Sequence, residues 1–222
     1  MTGVVSAGCF LLHANKSVSF ISIPGATKCS ARHINNAGSI VGWYLSSTFA
    51  ELGFLTSANG KFTQINIPNC FSTTTESINN KTEIVGTCSH GGPVLTEGFL
   101  LRASGAITMI NPPMATSTFP TDINDKGQIV GHYYTAKYEH YSFLYSDGQF
   151  STITIPECST VEARSINNQG QIVGLCGISV PPFNQGFIFD TTNSSSRFLI
   201  GPKGASTSPN AMNNRGDIVG TW

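Results

Sequence analysis

Ser165-Ile166-Asn167-Asn168-Gln169-Gly170-Gln171-Ile172-Val173-Gly174 is one of five near-copies in the chain. The others run from His33 to Gly42, Ser77 to Gly86, Asp122 to Gly131 and Ala211 to Gly220. Measured on the closing glycine, the copies are spaced by 44, 45, 43 and 46 residues. A period of that length in a β-rich chain is the signature of propeller blades.

The first complete unit shows the pattern. Arg32-His33-Ile34-Asn35-Asn36 ends one apolar run. A turn at Ala37-Gly38 leads into Ile40-Val41-Gly42-Trp43-Tyr44. A loop then reaches Gly53-Phe54-Leu55, and a second turn at Ala58-Asn59-Gly60 precedes Lys61 to Pro68. Four short runs rich in β-branched and aromatic residues, punctuated by Gly and Asn, read as strands a, b, c and d. The pairs Ile-Val in strand b and Phe-Leu in strand c place apolar side chains on both faces of each strand. A blade packed between two neighbours needs that pattern.

The chain ends inside a unit. Gly220-Thr221-Trp222 finishes a strand b, and Cys9-Phe10-Leu11 reads as a strand c. The fold expected is therefore all-β: a five-bladed β-propeller of four-stranded antiparallel blades. It forms one domain over residues 1–222, with the ring closed by N- and C-terminal segments sharing a blade.

Composition narrows the function classes. Twelve Lys and Arg balance twelve Asp and Glu, and charged residues are only 11% of the chain. No basic surface for nucleic acid or anionic membranes is expected. No apolar run reaches the ~18 residues of a membrane-spanning helix. The first residues lack the features of a signal peptide. Ser6-Ala7-Gly8-Cys9 has a lipobox-like look, but the repeat register assigns Cys9 to a strand. A monomer without cofactor or metal is expected.

The string Ile-Asn-Asn-x-Gly-x-Ile-Val-Gly, followed by Gly-Phe-Leu and Phe-Thr-x-Ile-x-Ile-Pro, resembles the HAF repeat of extracellular bacterial proteins. The resemblance covers essentially the whole chain. It implies an exported, propeller-like protein and brings no catalytic residues with it. One turn departs from the pattern: Asn80-Lys81-Thr82 carries Thr where the turn glycine belongs. Left-handed backbone is costly for Thr, so that turn is expected to differ in shape.

Six cysteines occur, and four fall at repeated positions. Cys70 and Cys158 precede their unit's glycine by 16 residues, and Cys88 and Cys176 follow it by two. The other units hold Ala26 with Tyr44, Ala115 with Tyr133 and Gly204 with Trp222 at these positions. A small residue always faces a large one, which is volume compensation between touching sites. Disulfides Cys70–Cys88 and Cys158–Cys176 are expected, and Cys9 with Cys29 is a candidate third pair across the ring closure. Disulfides imply an oxidising compartment, hence a secreted, extracellular or periplasmic protein.

Two groups of residues are candidates for ligand contact. The residues before the Ile of strand a vary between units, and Arg32, His33, Glu76, Asp122 and Arg164 could converge on a central channel. Two acids with His and Arg suit general acid–base chemistry; the plainer alternative is ion pairing between blades. The loop His132-Tyr133-Tyr134-Thr135-Ala136-Lys137-Tyr138-Glu139-His140-Tyr141 is dense in rings. Tyr134, Tyr138, His140 and Tyr141, with Trp43 at the matching edge of the first unit, are candidates for stacking on sugars. Asp122 to Gly127 resembles a calcium loop but occupies a hairpin slot in every other unit. The recurrent Asn is expected to bond the turn backbone. The leading expectation is a carbohydrate-binding, lectin-like module. The alternatives are a propeller hydrolase or lyase with one channel site, and a protein-interaction scaffold.

Overall fold

The computed structural model describes residues 8–90, 95–178 and 184–222. Strands β1 (Cys9–Leu12) and β2 (Val18–Ile21) form a two-stranded pair. The first full unit is β3 (Ala26–Ile34), β4 (Ile40–Ser46), β5 (Glu51–Thr56) and β6 (Phe62–Ile65). The second is β7 (Ser72–Ile78), β8 (Ile84–Ser89), β9 (Thr96–Leu101) and β10 (Ile107–Ile110). The third is β11 (Ala115–Ile123), β12 (Ile129–Thr135), β13 (His140–Ser146) and β14 (Gln149–Ile153). The fourth is β15 (Thr160–Ile166), β16 (Gln171–Gly177), β17 (Asn184–Asp190) and β18 (Ser195–Leu199). β19 (Ser208–Met212) and β20 (Ile218–Thr221) form a second two-stranded pair. Within each unit the strands are antiparallel neighbours in chain order. A single parallel bridge, Ser117 to Thr96, joins the second and third units.

The repeat's chemistry follows from one irregularity. Every a–b ladder slips at the same place: between Ala31 and His33, Thr75 and Ser77, Pro120 and Asp122, Ala163 and Ser165, and Pro209 and Ala211. Each slip is a β-bulge, which leaves one residue out of the pairing and re-aims its side chain. The bulge presses strand a onto the glycine of Ile-Val-Gly. A Cβ at Gly42, Gly86, Gly131 or Gly174 would collide with a strand-a carbonyl: Ser30, Thr74, Phe119 or Glu162. The strand-c Phe packs over the same glycine, and Phe54, Phe99, Phe143 and Phe187 are all essentially inaccessible. Ile-Val of strand b is buried on both faces in the four full units.

The turn at Asn79-Asn80-Lys81-Thr82 keeps the shape of its counterparts, against expectation. Thr82 adopts φ 61°. The neighbouring hydrogen bonds, Thr82 N to Asn79 O and Asn79 N to Glu83 O, match those of the glycine turns. The Asn79 side chain overrides the preference of Thr. Its Oδ1 accepts from the backbone N–H of both Lys81 and Glu83, and its Nδ2 donates to Glu83 Oε2.

Three disulfides are present: Cys70–Cys88, Cys158–Cys176 and Cys9–Cys29. The third does not cross a ring closure. It ties β1 to β3 of the adjoining unit. In place of the shared blade expected from the sequence there are two separate strand pairs: β1 pairs with β2, β19 with β20, and among the described residues no ladder joins them. Each pair packs on its neighbour in the chain. Cys9, Ile21 and Ile23 join the core of the first full unit with Ala26, Ile40, Tyr44 and Phe54, and β19 lies against β15 and β16. Phe10, Phe20, Val219 and Trp222 are left exposed.

Candidate functional site

Antiparallel order places all a–b turns at one end of the strands and all b–c loops at the other. The turns of the five copies, Asn-Asn in four and Asn124-Asp125 in the third, meet around a cavity of about 340 Å³ lined by His33, Asn36, Asn80, Asp122, Asp125 and Asn214, among others. Its polar groups are bonded from unit to unit. Asn35 Nδ2 donates to Asn79 O, Asn79 Nδ2 to Asn124 O, and Asn124 Nδ2 to Asn167 O, at 2.9–3.1 Å. The second residue of each pair forms a parallel relay. The N–H groups of Asn36, Asn80, Asp125 and Asn168 donate to Oδ1 of Asn80, Asp125, Asn168 and Asn214, each at 2.8 Å. The first Asn also closes its own turn, as the sequence led us to expect: Asn124 Oδ1, for example, accepts from Lys126 N and Gln128 N.

The strand-a candidates separate by position. Arg32, Glu76 and Arg164 are the bulged residues and reach sideways between units. Arg32 Nε donates to Glu76 Oε2 at 2.7 Å. Arg164 donates to Glu162 Oε1, Ser208 Oγ, Pro209 O and Asn210 Oδ1. None of the three lines the cavity, so the two-acid constellation does not assemble. The next position along does face inward. His33 Nδ1 lies 3.0 Å from Ile78 O. Asp122 is buried and accepts four hydrogen bonds, from Ser77 Oγ, Ser165 Oγ, Ile166 N and Ile123 N. A carboxylate with that many donors is committed to holding three units together. The calcium-like spelling around Asp122 has the same explanation.

At the other end, in the third unit, strand alternation divides the ring-rich loop. Tyr133 and Tyr141 lie together on one face, centroids 5.5 Å apart. Phe119, His132, Tyr134 and His140 occupy the other: Phe119 stacks on His132 at 5.2 Å, and His140 lies 5.1 Å from both His132 and Tyr134. This second face turns toward Glu162 and Arg164 of β15. Burial, then the neighbouring His140, pushes His132 down to about 4 despite the opposing pull of Glu162. Burial also lowers His140. Tyr134 is 37% exposed, and Tyr138 at the crest of the turn is 89% exposed. Tyr141 is on the wrong face to join Tyr134. Trp43 belongs to the first unit, under the Lys28 ammonium at 5.4 Å. Phe119 and His132 were missing from the sequence candidates. Cross-strand register, with Phe119 opposite His132 and Tyr134 opposite His140, is the signal that finds them.

Comparison with known proteins bears on the fold. The chain is similar to TolB from Acinetobacter baumannii, with a TM-score of 0.63 at 10% identity, over 87% of this chain and 48% of that one. It is similar to the β-propeller domain of the Trilobed protease from Pyrococcus furiosus, with a TM-score of 0.56 at 11% identity, over 89% of this chain and 64% of that one. It also resembles part of the tricorn protease, with a TM-score of 0.56 at 16% identity, over 93% of this chain and 22% of that one. The chain thus spans about half the length of the TolB it matches and less than two thirds of the other two. Likeness at these identities is of fold: the architecture is propeller-like. A family described as "Protein of unknown function (DUF3466)" matches residues 105–202. No curated protein matches the sequence.

The depressed His132 gives a pH signature. Folding favours its neutral form. The stability it adds is full above the ordinary histidine value of about 6.5 and is lost as pH falls from there through about 4, on the order of 3 kcal/mol in all. Thermal melts of the protein and of His132→Gln should therefore converge as pH falls from 7 to 4. Parallel pH profiles would show that His132 is not held neutral.

Proposed function

We propose that the chain is a carbohydrate-binding module of the extracellular or periplasmic space, with its site at the ring cluster of the third unit. The observation that carries this reading is the half-exposed Tyr134 face set beside His140. A tyrosine face stacks on the apolar face of a sugar ring, and the neighbouring imidazole offers a hydrogen-bonding edge. The absence of net charge suits a neutral ligand, and the three disulfides suit an oxidising compartment. The channel is the weaker candidate, because its amides and Asp122 are already bonded between units. The same commitment weighs against a hydrolase or lyase built on Asp122 and Glu76.

We also propose that the ring is five-bladed and closes by β20 lying beside β1. The supporting observation is register. In each full unit the strand-b glycine faces the strand-c Phe, so Gly220 would face Phe10 and Ile218 would face Leu12. Such pairing would cover apolar side chains now exposed, Phe10 and Val219 among them. Oxidation of a Leu12→Cys/Ile218→Cys variant is expected to give a crosslinked peptide within one chain. Crosslinks between chains alone would contradict closure.

A glycan array followed by calorimetry tests the site. We expect a neutral-glycan hit that Tyr134→Ala weakens at least tenfold and Tyr141→Ala leaves unchanged. A blank array, or binding indifferent to Tyr134→Ala, would overturn the reading and favour a protein-interaction scaffold.

A further inference from the structure

The second and fourth units carry disulfides at the same repeat position, and they differ in their polar company. Cys88 faces Glu97 across the β8–β9 ladder, as Cys176 faces Gln185 across β16–β17. His90, two residues beyond Cys88, lies with Nε2 3.1 Å from Cys88 Sγ and 2.6 Å from Glu97 Oε2. Asn111 Nδ2 donates to the other oxygen, Glu97 Oε1, at 2.7 Å. The sulfurs of Cys70 and Cys88 and a ring nitrogen of His90 all lie within 4.8 Å of one another. In the fourth unit the counterparts of His90, Glu97 and Asn111 are Ile178, Gln185 and Ile200, which cannot make this set. Bracing a strand pair needs only the disulfide. A bonded imidazole, carboxylate and amide beside one of two equivalent disulfides call for another explanation.

We propose that reduction of the Cys70–Cys88 disulfide creates a binding site for a zinc-like divalent cation, with Cys70, Cys88 and His90 as ligands. Two sulfurs and one imidazole nitrogen make a three-member protein set that leaves the fourth tetrahedral position of zinc to solvent. Glu97 is the outer partner of His90, and Asn111 holds Glu97 in turn. The reductant is a dithiol. Its thiolate attacks Cys70 Sγ, which is more accessible than the fully buried Cys88. The Cys70–Cys88 bond breaks, and Cys88 leaves as a thiolate beside His90. The dithiol's second sulfur then displaces Cys70 and becomes a cyclic disulfide. The dithiol loses two electrons and the cysteine pair gains them. The cation binds the two thiolates, and their protons pass to solvent. The oxidised chain cannot form the site, because both sulfurs are spent on each other. The site lies at the b–c end of the second unit and is independent of the sugar site proposed in the third.

Cobalt(II) is the probe, since its thiolate charge-transfer and tetrahedral d–d absorption report cysteine ligation directly. Titration of the oxidised chain should give no such bands. The reduced chain, its fold checked by circular dichroism, should give one site per chain that zinc displaces. His90→Ala and Glu97→Gln should each weaken it at least tenfold, and Asn111→Ala by roughly tenfold. Cys158→Ser/Cys176→Ser should leave it intact. A Cys70→Ala variant needs no reductant and keeps the other two disulfides. It should bind one cobalt more weakly through Cys88 and His90. Two equal sites in the reduced chain, affinity unchanged by His90→Ala, or no cobalt–thiolate band in Cys70→Ala would each overturn the proposal.

Discussion

The structure depends on what one asparagine side chain does twice. The first Asn of each a–b turn uses Oδ1 to close its own turn and, in the first three copies, Nδ2 to bond the backbone of the next. Local shape and contact between units are thereby set by the same amide. These groups are buried, so losing a partner costs more than the ~1 kcal/mol net of an ordinary hydrogen bond. The repeat spells Asn because no other side chain supplies both an acceptor to the turn and a donor to the neighbour at that reach. The last copy shows the dependence by contrast. Asn213 Nδ2 donates to Asp217 of its own turn, and that turn is exposed.

The bulge in strand a organises the rest. It fixes the glycine of strand b, sends one residue of each variable pair sideways and turns the next inward. Arg32, Glu76 and Arg164 therefore belong to contacts between units, and His33 and Asp122 to the cavity wall. Symmetry of the backbone is met by asymmetry of the side chains. The position is His33, Ser77, Asp122 or Ser165, three residue types in four copies, yet His33, Asp122 and Ser165 each meet the backbone at Ile78, Ile166 or Met212 of the next copy, while Ser77 bonds Asp122 itself.

The strand order, both repeated disulfides and the turn-closing role of Asn were legible in the sequence, because each is written several times at one period. Repetition turns a single chain into its own alignment. What escaped was set by contacts that do not repeat. The sequence could not say which of Arg32 and His33 faces the cavity, since that depends on a bulge whose position alternation alone does not reveal. Cys9 with Cys29 was only a candidate pair, because neither position recurs as Cys in another unit, and the bond joins β1 to β3 of the adjoining unit. Phe119 was overlooked because its partner His132 is reached through strand register. Thr82 was misjudged because propensity was weighed without the Asn79 side chain that overrides it.

Backbone amide exchange tests the account at its centre. Among the described residues, the N–H groups of Asn36, Asn80, Asp125 and Asn168 bond to a side chain of the next copy, so their protection measures contact between units. The account predicts that all four exchange slowly in the native protein, on the scale of the buried strand amides. Exchange at these four positions as fast as at the exposed c–d turns would contradict it.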